Sequence, residues 1–219
     1  MKKAFTLSEV LITLSIVGVV AVLTIPSVVK NYRNRLYVAQ LQKVTAQIEN
    51  AAKQMMNDEH VDNFLETKVL STDVDGAGTT GWQYFLKTYF KTAKIGCTKG
   101  TDKTACFATT YRNINGTVVQ STNVGGNKCI QTTNGAAFCI NYNLANLTPS
   151  IIIDVNGTAE PNITGRDVFV VDIKGDGSVY GPGSADQCNS LTSGWDEGIF
   201  AYSVGCYTNI VDAGWKMEY

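Results

Sequence analysis

The chain has 219 residues, enough for one ordinary domain with an attached segment or for two small domains. Its apolar share is 44% and its charged share 17%, the latter below the roughly 25% of ordinary globular proteins. Residues 1–35 hold five basic groups against Glu9 alone, which leaves 13 basic and 18 acidic side chains in the rest; an acidic body with no basic stripe argues against nucleic-acid binding as the main task.

From the N-terminus, Met1–Ala4 is a short basic leader, and Phe5–Val29 runs FTLSEVLITLSIVGVVAVLTIPSVV with Glu9 as its only charge. As a helix these residues span roughly 37 Å, more than the ~30 Å hydrocarbon core of a bilayer. A cleaved secretory signal is the competing assignment, with Val19-Val20-Ala21 as its cleavage site. Against it, Glu9 sits where the apolar core of a signal should begin, and the apolar run continues past Ala21. A carboxylate inside a membrane costs several kcal/mol, so Glu9 is a functional candidate. Its plain alternative is an acid at headgroup level that reaches water.

The basic leader, then Phe5, then Thr-Leu-Ser-Glu ahead of a long apolar run, resembles the prepilin cleavage and methylation motif. That motif belongs to type IV pilins and to the pseudopilins of type II secretion systems. The resemblance implies cleavage between Ala4 and Phe5 by a prepilin peptidase/methyltransferase, methylation of the new Phe5 amine, and a role for Glu9 in filament assembly. Gly18 and Pro26 match the positions where the pilin helix unwinds on entering a filament. The family usually has glycine before the cut, and here Ala4 stands there. The implied partners are homologous subunits, met through this helix. The implied route is the inner membrane, single-pass with a cytoplasmic N-terminus and periplasmic head, and then a cell-surface pilus or a periplasmic pseudopilus. Basic residues flank both ends of the span, so charge alone does not orient it; oxidised cysteines would place the C-terminal body outside the cytoplasm.

Beyond the span, residues 30–60 read as an amphipathic stalk. Tyr37, Leu41, Val44, Ile48, Ala51 or Ala52, and Met55 recur at helical spacing, a stripe expected to be core. Gln40, Lys43, Gln47, Glu49 and Lys53 suit the exposed face. One helix from Phe5 to about Asn57 would measure roughly 80 Å, bent or locally opened at Pro26.

Residues 61–219 form the expected head. Residues 71–81 read as a loop; Gly76, Gly78 and Gly81 have G-x-G-x-x-G spacing but no preceding strand, so no dinucleotide site is expected. A helix is expected over Trp82–Lys94. Asn115-Gly116, Asn134-Gly135 and Asn156-Gly157 predict tight hairpin turns, and Ser150–Val155 and Asp167–Ile173 predict strands. The fold class is therefore α+β: a long N-terminal helix packed on an antiparallel sheet with disulfide-closed loops.

The six cysteines, Cys97, Cys106, Cys129, Cys139, Cys188 and Cys206, lack C-x-x-C spacing and suit disulfides, with buried free thiols as the alternative. Of fifteen pairings, the sequential set 97–106, 129–139 and 188–206 is favoured because each closes a short loop. A Cys188–Cys206 bridge would resemble the C-terminal disulfide of type IV pilins. No cofactor is expected. Asp154, Asn156, Asp172 and Asp176 offer oxygen ligands near turns that calcium would accept, and some pseudopilin heads hold calcium in such a loop. However, Lys174 stands where an EF-hand needs an acid, and turn residues that satisfy only backbone are commoner. The C-terminal aromatics Trp195, Phe200, Tyr202, Tyr207 and Trp215 read as head core, or else as an adhesive surface.

An enzyme is not expected: there is no G-x-S-x-G, H-E-x-x-H or P-loop, and His60 is the only histidine. Two classes remain, a filament subunit and a membrane-tethered periplasmic binding or adhesion protein that never polymerises.

Overall fold

The computed structural model describes residues 6–71, 81–119, 124, 126–143, 148–190 and 198–219. The Ala4–Phe5 junction, Gly76, Gly78 and Trp195 lie outside them. The chain divides into two units, residues 1–36 and 37–219.

Helix α1, Leu7–Glu59, contributes to both units. It runs unbroken through Pro26, so the opening expected there is absent in the single chain. Proline withholds one N–H from the ladder, while neighbouring hydroxyls fold back onto it: Thr24 Oγ1 donates to the Val20 carbonyl at 2.8 Å and Ser27 Oγ to the Thr24 carbonyl at 2.9 Å.

In the second unit α1 presents the expected stripe. Tyr37, Leu41, Val44, Ile48, Ala51, Ala52 and Met55 are all buried, and Lys43 and Lys53 are exposed. Glu49 is a correction to the exposed face: it is half-buried, and its Oε1 accepts the Val179 N–H at 3.0 Å. A carboxylate from the helix thus satisfies a backbone donor on the last strand of the sheet.

That sheet has seven strands: β1 Thr92–Lys99, β2 Ala105–Phe107, β5 Gly126–Thr132, β6 Ala137–Asn143, β7 Thr148–Asp154, β8 Val168–Ile173 and β9 Val179–Tyr180. Their order is β2-β1-β5-β6-β7-β8-β9, antiparallel except for β1 with β2. A separate hairpin joins β3, Tyr111–Arg112, to β4, Val118–Val119. Alternation along the strands sorts the core into two layers. Phe138, Ile140, Ile151, Ile153, Phe169 and Val171 face α1 and the short helix α2, Gly81–Tyr89. Ala137, Cys139, Ile152, Val168 and Val170 face the opposite cluster, which includes Tyr111, Phe107 and helix α3, Ile199–Ser203. Burial on both faces explains why β7 and β8 read as nearly continuous apolar runs. Helix α4, Cys206–Asp212, adds Tyr207 and Ile210 to the α1 side.

Two expectations need correction. Helix α2 stops at Tyr89, not Lys94, because residues from Thr92 onward pair with β5, with Lys94 opposite Gln131. Asn156-Gly157 does not form a tight hairpin, since residues 155–167 form a longer connection between β7 and β8. Gly157 is still required there: φ is +68°, and a Cβ would lie 2.9 Å from the Gly135 carbonyl oxygen. The other two Asn-Gly turns do close short hairpins, β3–β4 and β5–β6, with φ of +86° at Gly116 and +94° at Gly135.

Candidate functional site

Among its described residues the first unit buries no apolar side chain. Its most apolar 18-residue window has a mean hydropathy of 2.4, and none of that window is buried. Leu7 is 78% exposed and Leu23 73%. Burying one such side chain is worth roughly 1.5–3 kcal/mol, so this surface demands a lipid or protein cover. One N-terminal helix is therefore long and apolar enough to cross a membrane.

The helix start is closed by its own residues. Glu9 Oε2 accepts from the Thr6 N–H at 2.8 Å and from Thr6 Oγ1 at 2.7 Å, while Thr6 Oγ1 accepts from the Glu9 N–H at 3.3 Å. This reciprocal pair is a capping box, and Thr-x-x-Glu ahead of an apolar run is its sequence signature. Glu9 is thus fixed over the first turn. Gly18 faces open space, with nothing within 4 Å of a Cβ built there. Nothing in the single chain requires glycine at that position.

The head is closed by three disulfides, Cys97–Cys106, Cys129–Cys139 and Cys188–Cys206, and no cysteine is free. Cys129 and Cys139 stand opposite each other across β5 and β6. Cys97 and Cys106 bracket the turn between β1 and β2, and Cys188 is tied to the start of α4.

The four candidate calcium ligands do not converge. Asp154 pairs in register with Val168, and Asp172 with Ser150, which puts the two acids at opposite ends of the β7–β8 ladder. Four residues of strand separate them, roughly 13 Å. Asp172 accepts from Ser150 Oγ at 2.6 Å, and Asp176 accepts from the Ser178 N–H and hydroxyl. Among the described residues no three acidic, cysteine or histidine side chains group as metal ligands. The aromatics Phe200, Tyr202 and Tyr207 are buried, and Trp215 packs edge-on to Tyr207 at 5.8 Å, so these four serve the core.

The residues that sequence reasoning missed are Tyr111 and Asp167, which join Asp154 in a buried acid network. Tyr111 Oη donates to Asp154 Oδ2 at 2.8 Å and accepts from the Ala108 N–H at 3.0 Å. Asp167 Oδ2 accepts from the Asn162 N–H at 2.8 Å and its Oδ1 from the Ile163 N–H at 2.6 Å. Asp154 and Asp167 are both 0% exposed. Burial, reinforced by the facing Asp167 charge, pushes the Asp154 carboxyl well up. Burial likewise pushes Asp167 up to about 6, against the pull of its backbone donors. An acid at the end of an apolar strand, as in Ile151-Ile-Ile-Asp154, was the available signal.

This network has a thermodynamic signature. A carboxyl whose folded pKa lies above its unfolded value binds more protons when folded, so stability falls as pH rises between the two. For Asp167 that window runs from near 4 to about 6. From Asp167 alone, urea unfolding should therefore show the head about 2 kcal/mol more stable at pH 4.5 than at pH 7.5. Asp167→Asn should flatten that slope, and a slope of opposite sign in the parent chain would show that the pair is not held protonated.

Above the network lies an open cleft of about 480 Å³. Its walls come from the β1–β2 turn (Thr101, Asp102), the segment after β2 (Thr109, Thr110) and the β7–β8 connection (Thr158, Glu160), with Lys94 from β1. Ala108 and Asn162, which also line it, are the residues whose backbone donors bind Tyr111 and Asp167.

No family model matches the chain, and no curated protein or solved structure matches it.

Proposed function

We propose that this chain is a pilin-like subunit that inserts in a membrane through its N-terminal helix and assembles into a filament, as a type IV pilin or a type II secretion pseudopilin does. The observation that carries this reading is the uncovered apolar helix with a single acid fixed over its first turn. In a plain membrane anchor that acid would serve as the helix cap alone; in a filament it has a second partner. In an assembly of such helices, Glu9 would meet the freed Phe5 amine of its own or a neighbouring chain. Such a pair attracts strongly in a low-dielectric bundle, but desolvation opposes most of the gain, so it contributes register more than stability. Gly18, open on the helix surface, would allow close approach of a second helix. The disulfide-closed head supports its placement in an oxidising compartment outside the cytoplasm.

Mass spectrometry of the native protein should find a mature N-terminus at methylated Phe5. Glu9→Leu should insert at least as well as the parent chain and reduce sheared filaments at least tenfold. An intact Met1, together with no filaments from the parent chain, would replace this reading with a tethered, non-polymerising protein, and parental filament yield from Glu9→Leu would remove Glu9 from assembly.

A further inference from the structure

The cleft above the buried acids has features that the filament reading does not use. Its shape is set from beneath. The Cys97–Cys106 bridge brackets the turn that carries Thr101 and Asp102. Tyr111 holds Ala108 in one wall, and Asp167 holds Asn162 in another. Asn156 Nδ2 donates to the Glu160 carbonyl at 3.1 Å and so pins the same wall a second time. Asp102 is itself positioned, since its Oδ1 accepts from Thr98 Oγ1 at 3.0 Å and from the Thr104 N–H and hydroxyl at 2.9 and 2.8 Å. Those bonds hold the Asp102 carboxyl below its ordinary range, so it is charged at neutral pH.

The lining is mostly polar, with Ala105 and Ala108 as its apolar side chains. Four threonine hydroxyls, Thr101, Thr109, Thr110 and Thr158, share the walls with Asp102, Glu160 and Lys94. Lys94 Nζ is engaged with the Ala105 carbonyl at 2.7 Å. One ammonium against two carboxylates leaves the cleft with a net negative charge, on a body that is itself acidic. Among the described residues no aromatic ring lines it, so none of them offers a ring for a neutral sugar to stack on. Affinity there has to come from hydrogen bonds and from a positive charge on the ligand.

From the clamped turn, the hydroxyl-lined walls and the two carboxylates, we infer that this cleft binds a hydroxyl-rich cationic ligand, an amino sugar of about two rings. The ammonium lies between Asp102 and Glu160, and the ring hydroxyls exchange hydrogen bonds with the threonines. The acidic body steers such a ligand toward the cleft, and its binding weakens with salt.

The test uses the full chain in a non-glycosidic detergent, titrated calorimetrically with β-1,4-linked glucosamine disaccharide, its N-acetylated form and cellobiose. The glucosamine disaccharide should bind at least tenfold more tightly than either uncharged sugar. Glu160→Gln and Asp102→Asn should each weaken it at least tenfold, whereas Lys43→Ala, on the opposite side of the head core, should change nothing. Glu160 is exposed, so its variant keeps the fold even if Asp102→Asn loosens the turn. Equal binding of the three sugars, no binding, or binding unchanged by Glu160→Gln would overturn the assignment. None of these readouts requires filaments, so failure here leaves the assembly reading untouched.

Discussion

Replacing all six cysteines with alanine is expected to leave the head unfolded at 37 °C. Each bridge closes a loop of 9, 10 or 18 residues, and removing such a constraint typically costs about 2–4 kcal/mol. Three together approach the roughly 5–15 kcal/mol by which whole domains are stable. The buried acids deepen the loss at neutral pH, because the pair at Asp154 and Asp167 already opposes folding there. Near-ultraviolet circular dichroism should show tertiary signal lost in the six-alanine chain. The double variant Cys188→Ala/Cys206→Ala should keep that signal and lose only one bridge's share in urea. A six-alanine chain with parental unfolding midpoint would mean that the two-layer core suffices alone.

The second large effect concerns the first unit. A chain beginning at Val29 behind a start methionine should move from the membrane pellet to the high-speed supernatant almost completely. The residues removed include the whole 25-residue apolar run except its last position, none of which belongs to the head core. The head's unfolding free energy in urea should stay within about 0.5 kcal/mol of the parent value, as for changes remote from a core. Persistent pelleting would locate the membrane affinity in the head, and a lowered midpoint would show that the helix supports it.

The parts of this fold legible in sequence were those governed by periodicity. The stripe from Tyr37 to Met55 is buried as its spacing requires, and the apolar runs ending in Asp154 and Ile173 are strands. The Asn-Gly turns at Gly116 and Gly135 followed from local φ preferences. What was illegible depends on partners distant in sequence. Thr92–Lys94 reads as the end of the helix that begins at Trp82 and instead opens a strand, because β5 lies beside it. Asn156-Gly157 resembles a hairpin turn, yet its glycine is needed for the approach of Gly135. Tyr111 reaches Asp154 across 43 residues, and no spacing rule connects them. Of the candidate site, the apolar span and Glu9 were visible at once. Their capping box was equally visible in Thr6-Leu-Ser-Glu9 and was read only as part of a processing motif.

The order of the disulfides carries a consequence for how the chain acquires them. Cys97, Cys106, Cys129, Cys139, Cys188 and Cys206 are joined strictly in order of appearance. A polypeptide that reaches an oxidant N-terminus first therefore never offers two unpaired cysteines from different bridges, provided each bond closes before the next cysteine arrives. The gaps favour this: Cys129 lies 23 positions after Cys106, and Cys188 lies 49 after Cys139. First-come oxidation then gives one product out of fifteen, and a thiol oxidant with no shuffling activity is sufficient to mature the head.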